Sequence, residues 1–189
     1  MDKKYYFYIV IIAAIIASFV LDSKIVNLFA SNRLEILNIM FILFSNYYLL
    51  YLIILVICIL LYKHKNKIII FLLSSLSTYL IVGFMKFIIK RSRPEVISLV
   101  AVNTYSFPSM HAAIAFMPLA VISKEFPRFK IYYIIIASLI SFSRLYNGVH
   151  FISDIIVGAL IGYIIGLGLL RLEEKYNCLN NFFIKLKNI

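Results

Sequence analysis

Charge is the scarcest ingredient of this chain. Eight acidic and nineteen basic residues serve 189 positions, so 14% are charged while 63% are apolar. A soluble globular domain carries about 25% charged and about 45–50% apolar residues. One water-facing core cannot hide so much Leu, Ile and Phe, and a water-soluble fold is excluded. Cysteine is nearly missing: Cys58 sits inside an apolar run and Cys178 in the tail. That spacing excludes a disulfide framework and a cysteine metal cluster. Tryptophan is absent, which leaves the 14 tyrosines to form the interfacial belt. No internal repeat or low-complexity linker interrupts the chain. At about 20 residues per membrane crossing, its length leaves no room for a separate soluble domain. The expectation is an all-α polytopic protein, one membrane-embedded domain over 1–189, with its chemistry at helix ends and short loops. The net charge of +11 and pI near 9.7 belong to membrane topology, since no basic solvated face or nucleic-acid-binding motif is present.

Apolar runs bounded by charge predict six transmembrane helices: Tyr5–Leu21, Tyr47–Tyr62, Ile68–Ile89, Met110–Ser123, Ile131–Ser143 and Ser153–Leu170. The first, behind Lys3 and Lys4 and without a small-residue cleavage site, reads as a retained signal anchor. Leu34–Ser45, with Glu35 and Asn38 among apolar residues, reads as a helix entering from the membrane surface. With six spans, twelve of the nineteen basic residues fall on the side of the termini, including Lys63, Lys65, Lys67, Lys124, Arg128, Lys130, Lys185 and Lys187. The positive-inside rule therefore predicts cytoplasmic termini in a multi-pass cell-membrane protein. Five of the remaining seven, Lys86, Lys90, Arg91, Arg93 and Arg144, sit where the third and fifth spans end, against the insertion preference. Only 13 residues separate Lys130 from Arg144, and 12 separate His111 from Lys124. At about 1.5 Å per residue each stretch covers roughly 20 Å of a hydrocarbon core about 30 Å thick. His111 and Arg144 are thereby expected below the outer surface, where an ionisable group marks a functional site.

The polar residues of that end form a chemical set. Lys86, Arg93 and Arg144 supply cations, His111 and His150 imidazoles, Ser109 a hydroxyl and Asp154 a carboxylate. Phosphoryl transfer uses this mixture, because a transition state with negative oxygens needs fixed cations, a nucleophile and a proton donor. Lys86 and Arg93 are seven apart and share a helix face if the helix persists to Pro94. Pro108–Ser109–Met110 reads as a helix start, whose free N–H groups attract an anion. His150 and Asp154 lie at i, i+4, so the carboxylate takes one ring proton and aims the other nitrogen outward. His150 is thus the better nucleophile, and His111 the better general acid for the departing oxygen.

K-F-I-I-K-R-S-R-P at 86–94, P-S-M-H at 108–111 and S-R-L-Y-N-G-V-H-F-I-S-D at 143–154 resemble the three-part signature of the type 2 phosphatidic acid phosphatase family, K-x6-R-P, P-S-G-H and S-R-x5-H-x3-D. The match holds at every position except Met110, where the family usually has glycine, and follows the same order across 86–154. The resemblance implies a six-helix bundle with its active site near the extracytoplasmic face. It implies phosphate-binding roles for Lys86, Arg93, Ser109 and Arg144, a phosphohistidine on His150 oriented by Asp154, and protonation of the leaving group by His111. It implies an acid-phosphatase-type hydrolase that needs no metal or organic cofactor. The expected substrate is a lipid phosphate or diphosphate: polyprenyl diphosphate, phosphatidic acid or phosphatidylglycerophosphate, with a lean to the polyprenyl carrier. The alternatives are a lipid phosphotransferase with an alcohol acceptor, toward which Met110 points, and a non-catalytic anionic-lipid binder or transporter. The protein is expected as a monomer or homodimer without a nucleic-acid partner.

Other residues receive plainer readings. His64 belongs to a basic loop; Lys90 and Arg91 are interfacial anchors or head-group contacts; Glu95 is a solvated charge and Ser143 a helix-packing hydroxyl. Gly158, Gly162 and Gly166 repeat every four residues and predict close packing within the bundle. The loop 95–107, apolar for its place, is expected against the membrane at a lateral entrance for a lipid tail.

Overall fold

The computed structural model describes residues 3–177, without side chains for 3–8, 10 and 11. Cys178, Lys185, Lys187 and the Lys3 and Lys4 side chains lie outside the described residues. Those residues form helices and loops only: α1 (Lys3–Ser31), α2 (Glu35–Phe44), α3 (Tyr47–Leu60), α4 (Lys65–Ile89), α5 (Met110–Phe116), α6 (Leu119–Glu125), a 3-10 turn at Pro127–Phe129, α7 (Lys130–Tyr146) and α8 (Ile152–Tyr176). Large apolar side chains cover the outside, among them Ile36, Tyr48, Phe84 and Phe87, which suits a bundle whose solvent is lipid.

Four helical stretches are long and apolar enough to cross a membrane: Ile12–Ser31, Lys65–Ile89, Pro127–Tyr146 and Ile152–Tyr176. A fifth arises if α2 and α3, bent by 49° at their junction, count as one span. The expected span Met110–Ser123 is instead two seven-residue helices, α5 and α6. Pro118 between them has no amide proton to continue the ladder. Ala112, Ala113 and Ala115 of α5, Ala120 and Val121 of α6 and Met117 between them are almost wholly buried, so this pair runs through the middle of the bundle.

The first helix also departs from expectation, running on from Leu21 to Ser31. Asp22 does not end it because its carboxylate is 3% exposed and paired inside the protein. The helix stops where Asn32 turns its side-chain amide back onto the Leu28 carbonyl, 2.8 Å away. Helix α4 does not persist to Pro94. It ends at Ile89, with Lys90 left-handed at φ 50°, so the shared helix face expected for Lys86 and Arg93 does not exist.

The glycine stripe packs internally. Gly158, Gly162 and Gly166 of α8 face Ser109, Ala113 and Met117, also four apart, and a Cβ on any of the three would strike backbone. The two helices thus touch main chain to main chain. This contact holds the start of α5 against the start of α8, where the Ser109 amide donates to the Asp154 carbonyl at 2.9 Å.

Candidate active site

Four element ends and one loop meet at one end of the bundle: the α2–α3 junction, the C-terminal turns of α4 and α7, the start of α5 and the loop before α8. They enclose a cavity of about 210 Å³ lined by Tyr47, Lys86, Arg93, residues 101–104, Met110, His111, Arg144 and His150. That volume is below the roughly 300–1,000 Å³ of sites for drug-sized ligands and suits a head group. Five of the seven residues singled out from the sequence line it. Asp154 lies behind His150, and Ser109 is fully buried as the N-cap of α5, its hydroxyl accepting from the Ala112 amide at 3.5 Å.

His150 is the best-defined member. Its Nδ1 lies 3.2 Å from Oδ2 of Asp154, and a buried carboxylate fixes the proton on that nitrogen. The Phe151 amide donates to the same oxygen at 2.9 Å. The Nε2 lone pair is left toward the cavity, 3.4 Å from Nη1 of Arg93. Burial, then the cations of Arg144, Arg93 and Lys86, holds this imidazole well below its usual 6.5. It is therefore a neutral imidazole at pH 7, with Nε2 unprotonated.

The cations are held mostly by main-chain carbonyls, and none of the three forms a direct ion pair among the described residues. Lys86 Nζ donates to the carbonyls of Tyr105 and Ser106 at 2.6 and 3.1 Å. Arg93 donates to the Thr104 and Val149 carbonyls, which ties the loop to the α7–α8 connection. Burial lowers the pKa of Arg93 from that of a free guanidinium. Arg144, 3% exposed, donates to the Ser45 carbonyl and hydroxyl, while its Nε is buried with no partner. A buried guanidinium donor without a partner, among three cations, gives this end of the cavity the chemistry to receive an anion.

His111 is placed by a residue that the sequence reading missed. Its Nε2 lies 2.9 Å from the Ser45 carbonyl, which accepts only, so this nitrogen carries a proton. The Tyr47 ring packs on the imidazole at 4.2 Å between centroids. Ser45 and Tyr47 flank Asn46, whose side chain accepts from the Tyr48 amide and starts α3. Nothing in a serine before a tyrosine announces this role; only the 49° bend turns the carbonyl inward.

Arg91 is neither an interfacial anchor nor a head-group contact. It donates to Asp154 at 2.8 Å and to Asp22 at 2.6 Å. Glu95 is exposed, and Ser143 donates to the Ile140 carbonyl at 2.6 Å as a packing hydroxyl. The 95–107 loop folds over the site, with Ala101 to Thr104 forming one cavity wall.

Sequence comparison decides the lineage: a model of the PAP2 superfamily matches residues 67–178. The chain belongs to the PAP2 superfamily. The solved structure of a transmembrane PAP2-type phosphatidylglycerolphosphate phosphatase from Bacillus subtilis superposes with a TM-score of 0.72 at 26% identity, over 91% of this chain and 94% of that one. LpxE of Aquifex aeolicus gives a TM-score of 0.70 at 30% identity, over 80% and 95%. Phosphatidylglycerophosphatase B of Bacillus subtilis is 36% identical over 98 residues, 46% of this chain and 48% of that protein. The matched stretches span about half the length of the curated relatives, or less. This PAP2 protein is accordingly an all-helical membrane protein, with four or five candidate spans among its described residues.

Proposed function

We propose that the chain is a lipid phosphatase that removes phosphate from a lipid phosphomonoester or diphosphate through a phosphohistidine at His150. The observation that carries the reading is the neutral His150 imidazole, aimed by Asp154 into a cavity with three cations and a second histidine. Lys86, Arg93 and Arg144 bind the phosphoryl oxygens. Nε2 of His150 attacks phosphorus and the bond to the lipid oxygen breaks. His111 enters the step as the imidazolium, doubly protonated once the anionic substrate is bound; its Nε2–H stays on the Ser45 carbonyl and its Nδ1–H goes to the departing oxygen, leaving the ring neutral. Water then attacks the phosphohistidine, returning a proton to His111 and releasing phosphate. The protein's own groups carry each step, and no metal is required. Ser109 serves as cap and backbone donor beside this site.

In this reading the chain crosses six times, with α5–α6 as the fourth crossing, the site toward the extracytoplasmic face and the termini cytoplasmic. The phosphatidylglycerophosphate named for the Bacillus subtilis relative joins polyprenyl diphosphate at the head of the substrates to test. A second reading, transfer to an alcohol, rests on Met110, which lines the cavity where the family usually has glycine. Phosphate release from purified protein in detergent, over a panel of lipid phosphates with and without EDTA, tests the proposal. Release that survives EDTA and disappears in His150→Ala is expected. Full release by His150→Ala removes the nucleophile assignment, and loss with EDTA removes the metal-free route. Turnover only with an added alcohol favours transfer.

A further inference from the structure

Behind the His150–Asp154 pair, on the side away from the cavity, lies a second layer of buried charge. Asp154 is fully buried and accepts from His150 Nδ1 and the Phe151 amide on Oδ2 and from Arg91 Nη1 on Oδ1 at 2.8 Å. Arg91 is itself gripped from helix α1. Its Nη2 donates to Oδ2 of Asp22 at 2.6 Å, and its Nη1 also donates to the Ser153 hydroxyl at 2.7 Å. Asp22 reaches past it into the first turn of α8, accepting from the Ser153 amide at 2.9 Å and the Ser153 hydroxyl at 2.5 Å. A carboxylate from one helix thus satisfies a free N–H at the start of another. The guanidinium lies over the Phe151 ring at 4.2 Å, with Phe19 on α1 at 5.3 Å. Arg91 does not line the cavity, so it is no phosphate ligand.

We propose that Arg91 and Asp22 are positioning residues for the His150–Asp154 pair, which makes helix α1 part of the catalytic unit. A carboxylate on a single-bonded stem turns about that bond unless donors hold both oxygens. Phe151 and His150 hold Oδ2, and Arg91 holds Oδ1. Arg91 in turn stays in place because Asp22 balances its second N–H edge, a fork that a guanidinium fills and a point charge does not. The superfamily match begins at residue 67, so Asp22 lies outside it, and Arg91 lies within it away from the signature positions.

This inference rests on the phosphatase reading, and the experiment separates the two. Wild type, Arg91→Met, Arg91→Lys, Asp22→Asn, Asp154→Asn and the pairwise doubles are purified in detergent and assayed for phosphate release from dioctanoyl phosphatidic acid. The three histidines are followed in parallel by ¹⁵N NMR. Arg91→Met is expected to lower kcat by roughly tenfold or more, the scale seen when a residue orienting a histidine through a carboxylate is lost. KM stays within about twofold. Arg91→Lys recovers part of the loss, and Asp22→Asn adds nothing in the Arg91→Met background. In the Asp154→Asn background Arg91→Met has no further effect, because the carboxylate through which it acts is gone. The Nδ1–H signature of His150 is lost alike in Arg91→Met and Asp154→Asn. A raised KM with unchanged kcat, multiplicative losses with Asp154→Asn, or an unaltered His150 signature in Arg91→Met would overturn the proposal. If Arg91→Met does not fold, Arg91→Lys and Asp22→Asn give the same comparison. If wild type releases no phosphate from this lipid or from any other lipid phosphate of the panel, the phosphatase reading fails while the NMR arm still decides the positioning.

Discussion

Two glycines six residues apart on α8, Gly162 and Gly168, should respond in opposite ways to the same substitution. A Cβ on Gly162 would strike the Ala113 backbone of α5, its carbonyl oxygen, carbonyl carbon and Cα, whereas a Cβ on Gly168 meets nothing within 4 Å. Both sit inside a helix, where Ala is favoured over Gly by about 1 kcal/mol. Gly168→Ala keeps that gain. Gly162→Ala must move one helix off another, since backbone cannot rotate aside as a side chain does. Overpacking typically costs about 1–3 kcal/mol and occasionally more. The clash here is with main chain at the tightest of the three contacts, so a cost near or above 3 kcal/mol is expected, leaving a net loss of about 2 kcal/mol. For a chain of this size roughly 2–4 °C accompanies each kcal/mol. Gly168→Ala should then melt a few degrees above wild type in detergent, and Gly162→Ala about 4–8 °C below it. The same displacement moves α5, and with it His111, away from the Asp154 turn. A shift of about 1 Å can cost 10²-fold in rate, so phosphate release by folded Gly162→Ala should fall far more than its stability. Equal melting shifts for the two variants, or a Gly162→Ala protein with full activity, would refute the backbone contact as the element that sets the site.

Three further outcomes follow from the site. His150 binds a proton less readily in the folded protein than in the unfolded chain, so stability is complete above pH about 6.5 and declines as pH falls through it. The same depression keeps Nε2 free in mild acid, so the acid limb of kcat/KM should lie below pH 6.5; a limb centred at or above 7 would contradict it. Met110→Gly widens the cavity wall beside His111 and should raise the ratio of free phosphate to phospho-alcohol by about tenfold, the scale of one apolar group's discrimination. With glycerol as acceptor, an unchanged ratio would show that Met110 does not bias water against alcohol.

The motifs were readable because they are local. His150 and Asp154 meet through i, i+4 spacing at a helix start, and the Gly158–Gly162–Gly166 stripe shows its face by period alone. Lys86 and Arg93 also converge, though not along a shared helix face. Lys90 ends α4, and the chain carries Arg93 back through bonds to Thr104 and Val149. Ser45, Tyr47, Asp22 and Arg91 were beyond such reading, since each acts on a residue at least 60 positions away. Asp22 looked like the end of an apolar run because a sequence shows a charge without its counter-ion.

By itself, the sequence determined the solvent, the helical class and the residue set of the candidate site: too few charges for water, and cations, imidazoles and a carboxylate at spacings that suit phosphoryl transfer. Tertiary structure alone decided where helices end and which buried charges are paired. A helix in lipid stops or continues according to whether its polar groups find partners, and those partners lie on other helices. Asp22 remains inside α1 because Arg91 and Ser153 receive it, and α2 gives way to α3 where the Ser45 carbonyl meets His111 and Arg144.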